Sequence, residues 1–189
     1  LTARGDLIAN PQLGIVAALK EIADQILDRA LRHPGLLVLY GEVFGGELPA
    51  WKQYTGQKGQ AGFRVFDGFW ITGDQVSEHM KWDIEKYSPW REHGGQPFMH
   101  QAALEQSAHV LGLNTPPMVW SGDASEIGTT HAEVLSFLQQ KIPQSICKLD
   151  EGGRGQPEGV VVRTADRSTI VKLRYEDYQR TLRPSRKGA

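Results

Sequence analysis

Three charged residues near the end of the chain have the types and spacing needed to handle a phosphorylated ligand. Glu158 opens a run of valines, and Lys172 and Arg174 lie two positions apart in the next apolar run. Side chains alternate across a strand, so both cations should point to one face and Leu173 to the other. A carboxylate at one end of a hairpin and paired cations at the other suit a ligand that carries phosphate and a metal ion. Taken alone, the pattern equally fits a surface hairpin with solvated charges, which is the more common case.

The element that must position these residues is a β-hairpin over residues 154–174. Residues 160–162 are consecutive valines, residues 165–168 form a polar turn, and residues 169–171 return as a second strand. Lys172 and Arg174 lie in the strand that closes the hairpin. The hairpin therefore carries a carboxylate at one end and paired cations at the other.

Two earlier segments predict strands with further candidate residues. Residues 36–44 are an apolar run that predicts a buried strand, and Glu42 within it would need a partner such as a ligand hydroxyl, a metal ion or a basic residue. Residues 62–72 alternate as a second strand, so the neighbours Phe66 and Asp67 should face opposite sides. Two interpretations stay open: an aromatic ring in a cleft with a supporting acid, or a core phenylalanine beside a turn aspartate.

The remaining pattern predicts helices around these strands. Residues 12–32 carry apolar side chains at helical spacing, and residues 98–111 predict a second helix. Thr130 and Glu133 form a capping box for a helix that ends before Pro143. Residues 48–62, rich in Gln, Gly and Lys, predict a mobile loop.

Composition limits the class of protein. The chain of 189 residues is 40% hydrophobic, enough for a core, and its net charge of −1 gives no global attraction to nucleic acid or membrane. Cys147 is the single cysteine, which fits a reducing, cytoplasmic compartment. No apolar run approaches the roughly 20 residues of a membrane helix. Because the sequence begins at Leu1, we expect further residues upstream.

Four blocks, LYGEVFGGE, FRVFDGFW, EGVVVRT and IVKLRYEDY, occur in this order along the chain. Their order and spacing resemble motifs III, IIIa, IV and V of the covalent nucleotidyltransferase superfamily, in the version found in ATP-dependent RNA ligases. The resemblance implies an α+β fold with mainly antiparallel sheets forming a nucleotide cleft and helices packed outside, as in the ATP-grasp-like ligase domain. It places this domain at residues 1–183 and leaves residues 184–189 as a loose tail.

The resemblance implies a role for each charged residue. Lys172 and Arg174 match the cations that contact the α-phosphate, although the family usually has lysine at the second place, and arginine changes the contact geometry. Glu158 matches the acid near a metal ion, Mg²⁺ or Mn²⁺. Glu42 matches the acid at the ribose hydroxyl or the metal. These residues are expected to converge on one cleft.

The resemblance also implies which residues contact the nucleotide and the RNA end. Phe66 matches the aromatic residue that stacks on adenine, and Asp67 accompanies it. Arg4, followed by Gly5, resembles an arginine segment that reaches the phosphates or the 5′-phosphate end. The implied ligands are ATP, held as AMP on a lysine, and RNA, with a nicked duplex as one form. A monomer is the expected state.

One part of the pattern is missing. The attacking lysine of these enzymes lies in a Lys-x-(Asp/His)-Gly motif before motif III, and this chain has only Lys20 there, on the polar side of the first predicted helix. Lys148 precedes Asp150 and Gly152 but comes after motif IIIa and carries an extra Glu151. We expect the attacking lysine upstream of Leu1. A nucleotide- or RNA-end-binding module without catalysis is the alternative, and coincidental motifs are a third hypothesis.

Overall fold

The computed structural model describes residues 2–3, 6–7, 15–30, 34–48, 50–165 and 167–182. The chain divides into two compact units. The first unit comprises Leu1–Trp51 and Lys58–Pro116, and the second comprises Lys52–Gln57 and Pro117–Ala189. Helices and two-stranded antiparallel sheets occur together, which confirms the predicted α+β class with antiparallel pairing.

The first unit contains the longer strands. Strands β1 and β2 are short, and the main sheet pairs β3 with β4 in antiparallel register, while helices α1 to α4 complete the unit. Its elements are β1 (Thr2–Ala3), β2 (Asp6–Leu7), α1 (Ile15–Ala30), β3 (Gly35–Gly45), β4 (Ala61–Thr72), α2 (Gly73–His79), α3 (Ile84–Glu92) and α4 (Gln101–Leu111).

The core of the first unit lies between β4 and α4. Val65 on β4 is 0% exposed, and Leu104, Ala108 and Leu111 are buried on α4 at the spacing of one helix face. Helix α1 contacts β3, β4 and α4, as the amphipathic pattern of its sequence predicts. This packing holds one face of the sheet and leaves several positions of the other face in solvent.

A β-bulge interrupts the main sheet near its middle. Tyr40 pairs with Asp67, whereas the next residue Gly41 pairs with Val65, so Phe66 is the extra residue of β4. Bulges bend a strand and redirect side chains, and they are common beside binding sites. The glycine is needed here because a Cβ at position 41 would lie 2.2 Å from the Phe63 ring.

The second unit is built around helix α5 (His131–Lys141). Its capping box is present as predicted: the Thr130 hydroxyl accepts from the Glu133 amide, and the Glu133 carboxylate accepts from the Thr130 amide. The unit also contains strands β5 (Gly159–Arg163) and β6 (Ile170–Arg174) and helix α6 (Tyr175–Leu182). A hydrophobic cluster joins them: Val134, Phe137, Leu138, Ile142 and Leu173.

Residues 51–57 differ from the predicted mobile loop. They include a short 3₁₀ turn over Trp51–Gln53, and Thr55 is only 1% exposed. The sequence suggested mobility because glycine and glutamine dominate the segment, yet its backbone is held by hydrogen bonds to residues 149–155, such as that from the Leu149 amide to the Tyr54 carbonyl. Within the described residues, no helix has the length and apolarity to span a bilayer.

Candidate functional site

The hairpin of β5 and β6 places the predicted cations as the sequence indicated. Leu173 is 7% exposed and packs into the hydrophobic cluster, while Lys172 and Arg174 on either side of it are exposed. Val161 pairs with Lys172 and Gly159 with Arg174 in the antiparallel register. One apolar residue therefore anchors β6 and turns both cations toward solvent.

Glu158 lies against both cations. Its Oε1 atom is 2.8 Å from the Lys172 Nζ and 3.4 Å from the Arg174 Nε. The hydrogen bond from Lys172 is the main cause that lowers the pKa of the Glu158 carboxyl, and the charges of Lys172 and Arg174 act in the same direction. Glu158 is therefore ionised at neutral pH, and its side chain is 66% exposed and open to a ligand.

The backbone around Glu158 fixes this arrangement. A Cβ at position 159 would lie 1.9 Å from the Leu173 carbonyl oxygen, so the strands can approach this closely only because Gly159 has no side chain. The Tyr175 amide donates to the Glu158 carbonyl at 2.9 Å, and the Tyr175 hydroxyl donates to the Ile142 carbonyl. These contacts tie the start of β5 to the end of β6.

A second group of predicted residues lies on the β3–β4 sheet of the first unit. The expectation that Glu42 is buried is wrong: Glu42 is exposed, because β3 is covered less than its apolar sequence suggests. Phe66 is 44% exposed at the bulge, so the interpretation as a core phenylalanine is also wrong. Asp67 is 9% exposed, and one of its oxygens accepts from the Gly68 amide at 3.1 Å.

Arg64 is a residue of this sheet that the sequence reasoning did not select. It pairs directly with Glu42 in the register of β3 and β4. Its Nη1 donates to the Thr115 carbonyl at 2.7 Å, and its guanidinium lies 5.8 Å from the centre of the Phe44 ring. The Nε atom is buried and has no hydrogen-bond partner among the described residues. The sequence offered one indication that Arg64 belongs to this group: it lies two residues before Phe66 in the same predicted strand.

The structure thus brings the predicted residues together in two separate groups. Glu158, Lys172 and Arg174 form one group in the second unit, and Glu42, Phe66 and Asp67 lie on one sheet in the first. Convergence of the two groups on one cleft stays a prediction. Arg4 lies outside the described residues. Those residues contain no cluster of three or more side chains that could hold a metal ion.

Comparison with known proteins gives one match. The family model described as RNA ligase matches residues 1–174, which is most of the chain. No curated protein and no solved structure matches it. The match includes the first three sequence blocks, the fourth block as far as Arg174, and both groups of site residues, and it supports a ligase-type function in general. The chain belongs to the RNA ligase family.

Proposed function

We propose that this chain is the nucleotidyltransferase part of an ATP-dependent RNA ligase that joins 5′-phosphate and 3′-hydroxyl ends. The observation that carries the proposal is the exposed group of Glu158, Lys172 and Arg174 on one hairpin, with its anchor Leu173 buried. Two cations and an ionised carboxylate at one place suit phosphoryl transfer, because such reactions are catalysed mainly by positioning and by stabilising charge.

The chemistry requires two kinds of transfer at phosphorus. The amine of a lysine bonds to the α-phosphorus of ATP, loses a proton and releases pyrophosphate. The bond between that lysine and AMP then breaks as the AMP passes to the 5′-phosphate of RNA. The 3′-hydroxyl oxygen then bonds to that phosphorus, the bond to the AMP phosphate breaks, and the hydroxyl proton is lost to solvent. Lys172 and Arg174 would stabilise negative charge on the phosphoryl oxygens in each step.

A divalent metal fits the carboxylate at this hairpin. Mg²⁺ is usually held by one or two carboxylates together with substrate phosphates, and Glu158 is ionised and largely exposed. Metal binding would compete with the ion pair to Lys172, which then becomes available for phosphate. When bound, the metal would neutralise phosphate charge. Glu42, also exposed, is the second candidate ligand, or it accepts from the ribose hydroxyls.

Recognition of the base is assigned to the β3–β4 sheet. Phe66 presents an exposed ring at the bulge, and stacking of a base on an aromatic ring contributes roughly 1–3 kcal/mol. Asp67 would support the backbone beneath Phe66 through its hydrogen bond with the Gly68 amide. Arg4 is proposed to contact phosphate.

The last step of sealing gives a test that needs no attacking lysine. We expect the chain, supplied with Mg²⁺ and a nicked RNA duplex whose 5′ end already carries AMP, to form the phosphodiester bond and release AMP. The same duplex with a 3′-deoxy end is the matched control and should stay unsealed. Binding of the adenylylated duplex without sealing would favour the alternative, a module that holds an RNA end without catalysis.

A further inference from the structure

A cavity in the second unit lies apart from the residues used above. It has a volume of about 390 Å³ and is formed by the segment between α5 and β5. Its charged lining residues are Lys148, Glu151 and Arg154, and Gln144 and Gln156 also line it. We call it the Lys148–Arg154 cavity.

The backbone of this cavity is held in place by Asp150. One carboxylate oxygen accepts from the Thr55 hydroxyl at 2.5 Å, and the other accepts from the amides of Gly56 at 2.8 Å and Gly152 at 2.7 Å. These hydrogen bonds, with that of Thr55 first, lower the pKa of the Asp150 carboxyl, so it is ionised at neutral pH. Both of its oxygens are thereby engaged in fixing the segment.

Glycines allow this segment to lie directly against residues 52–57. A Cβ at position 153 would come within 2.7 Å of the Tyr54 backbone, and one at position 155 within 2.5 Å of Gln53. The Arg154 amide donates to the Lys52 carbonyl, and the Gly155 amide donates to the Gln53 carbonyl at 3.0 Å. The backbone that carries Arg154 is therefore fixed on both sides of the residue.

The cations of the cavity differ from those of the hairpin in having no ion-pair partner among the described residues. Within the described residues, neither Lys148 nor Arg154 makes an ion pair or a side-chain hydrogen bond, and Glu151 makes none either. Lys148 is half-buried, so part of its hydration is already lost. Two cations and one carboxylate leave an excess positive charge in a cavity that two glutamines also line. This combination suits a phosphate group, which offers several acceptor oxygens and negative charge.

We propose that the Lys148–Arg154 cavity binds a phosphate group of the ligase's substrates, supplied either by the RNA backbone or by the polyphosphate of ATP. The identity of the ligand rests on the proposed function, whereas the phosphate chemistry rests on the cavity itself. Arg154 supplies a planar pair of donors and Lys148 a point charge, so together they hold the phosphate from two directions.

The test compares a double variant, Lys148→Ala with Arg154→Gln, against a matched double variant, Lys141→Ala with Arg180→Gln. Both remove two cations from the second unit, but Lys141 lies over the Phe137 ring and Arg180 pairs with Asp177. Binding of a 5′-phosphorylated RNA and of ATP is measured by fluorescence anisotropy over a range of salt concentrations. Because the two cations hold one phosphate group, their loss should reduce the salt slope for single-stranded RNA by about 0.7.

The two ligands separate the two sources of phosphate. If only RNA binding weakens and loses salt dependence, the cavity holds the RNA backbone; if only ATP binding weakens, it holds the polyphosphate. Restoring charge with Lys148→Arg and Arg154→Lys should recover most of the affinity. Equal binding curves for the cavity variant and its matched control, with both ligands, would overturn the proposal. If the cavity variant binds the ligands more weakly than its control but the wild-type chain does not seal the adenylylated nick, the proposed function is refuted and the cavity proposal stands.

Discussion

The two groups of site residues differ in how their charges are satisfied before any ligand binds. On the β5–β6 hairpin, Glu158 is paired with Lys172 and Arg174. On the β3–β4 sheet, Glu42 and Arg64 are direct cross-strand partners and yet form no ion pair. The hairpin is thus preset by its own contacts, whereas the sheet presents a partly exposed ring at Phe66 and an exposed acid at Glu42.

This difference agrees with the two roles proposed for these groups, phosphoryl transfer at the hairpin and base recognition at the sheet. A preset ion-pair group loses little entropy when phosphate or metal replaces one partner, which suits the reacting centre. An aromatic ring that is 44% exposed at a bulge can stack on a base, which suits recognition of a nucleotide. Substitutions in the two groups should therefore affect different measured quantities.

The largest expected effect is on the anchor of the hairpin. Leu173→Ala removes a buried side chain from the hydrophobic cluster and should reduce the free energy of unfolding by about 2–5 kcal/mol. Urea unfolding followed by circular dichroism measures this loss. Leu182→Ala, at a site that is 44% exposed, is the control and should change stability little. Equal losses for the two variants would mean that Leu173 does not anchor the cations.

On the β3–β4 sheet, substitution of Phe66 should weaken ATP binding and leave the stability of the chain nearly unchanged. Phe66→Ala should cost roughly 1–3 kcal/mol of ATP-binding free energy, measured by calorimetry, because a base loses its stacking partner. Its free energy of unfolding should stay within about 0.5 kcal/mol of the wild type, since the ring is 44% exposed. Leu36→Ala, with an apolar side chain 46% exposed on the same sheet, should alter neither quantity. A larger effect on unfolding than on ATP binding would make Phe66 a structural residue.

The hydrogen bonds of Asp150, which fix the segment beside the Lys148–Arg154 cavity, should make the stability of the chain depend on pH. Because hydrogen bonds hold the pKa of Asp150 below 3.8 in the folded chain, its contribution to stability is fully present above 3.8. That contribution is lost as the pH falls through the lowered folded pKa. Asp150→Asn should therefore reduce stability at neutral pH and flatten the acid limb of the curve of urea midpoint against pH.

Two variants of Thr55 check the cause of that effect. Thr55→Val removes the donor to Asp150 and should shift the acid limb toward higher pH, whereas Thr55→Ser keeps the hydroxyl and should preserve it. Identical acid limbs for the two variants would show that the hydroxyl does not stabilise the Asp150 carboxylate.

Small effects on stability are also expected for substitutions of the two acids, Glu42 and Glu158. Glu42→Gln and Glu158→Gln should each change the free energy of unfolding by less than about 1 kcal/mol, because Glu42 is exposed and exposed ion pairs contribute little. Their metal dependence should differ. The Mg²⁺ concentration needed for half-maximal sealing should rise more for Glu158→Gln than for Glu42→Gln. The opposite order would assign the metal to the sheet.

Local patterns in the sequence predicted much of the fold. The strand alternation around Leu173, the capping box at Thr130 and the apolar stripe of α1 are all present. These features depend on residues close in sequence, for which spacing alone determines which side chains share a face. The match of the RNA ligase family to residues 1–174 agrees with the resemblance of the four ordered blocks.

Features that depend on distant parts of the chain were not predictable. The burial of Thr55 follows from hydrogen bonding to Asp150, which lies 95 positions later. The exposure of Phe66 and Glu42 follows from a bulge and from incomplete covering of β3, neither of which has a sequence signature here. The hydrogen bond from the Arg64 side chain reaches the carbonyl of Thr115, which lies 51 positions later.

The central claim is that the hairpin cations act on a phosphoryl group during sealing. Its most direct test is the single-turnover rate of sealing a pre-adenylylated nicked RNA by Lys172→Ala and by Arg180→Ala, two variants that each remove one ion-paired cation of the second unit. We expect the first rate to fall by about 10²–10³-fold, as for loss of one transition-state donor, and the second to stay near wild type. Equal rates for the two variants would contradict the assignment of Lys172 to the reacting phosphate.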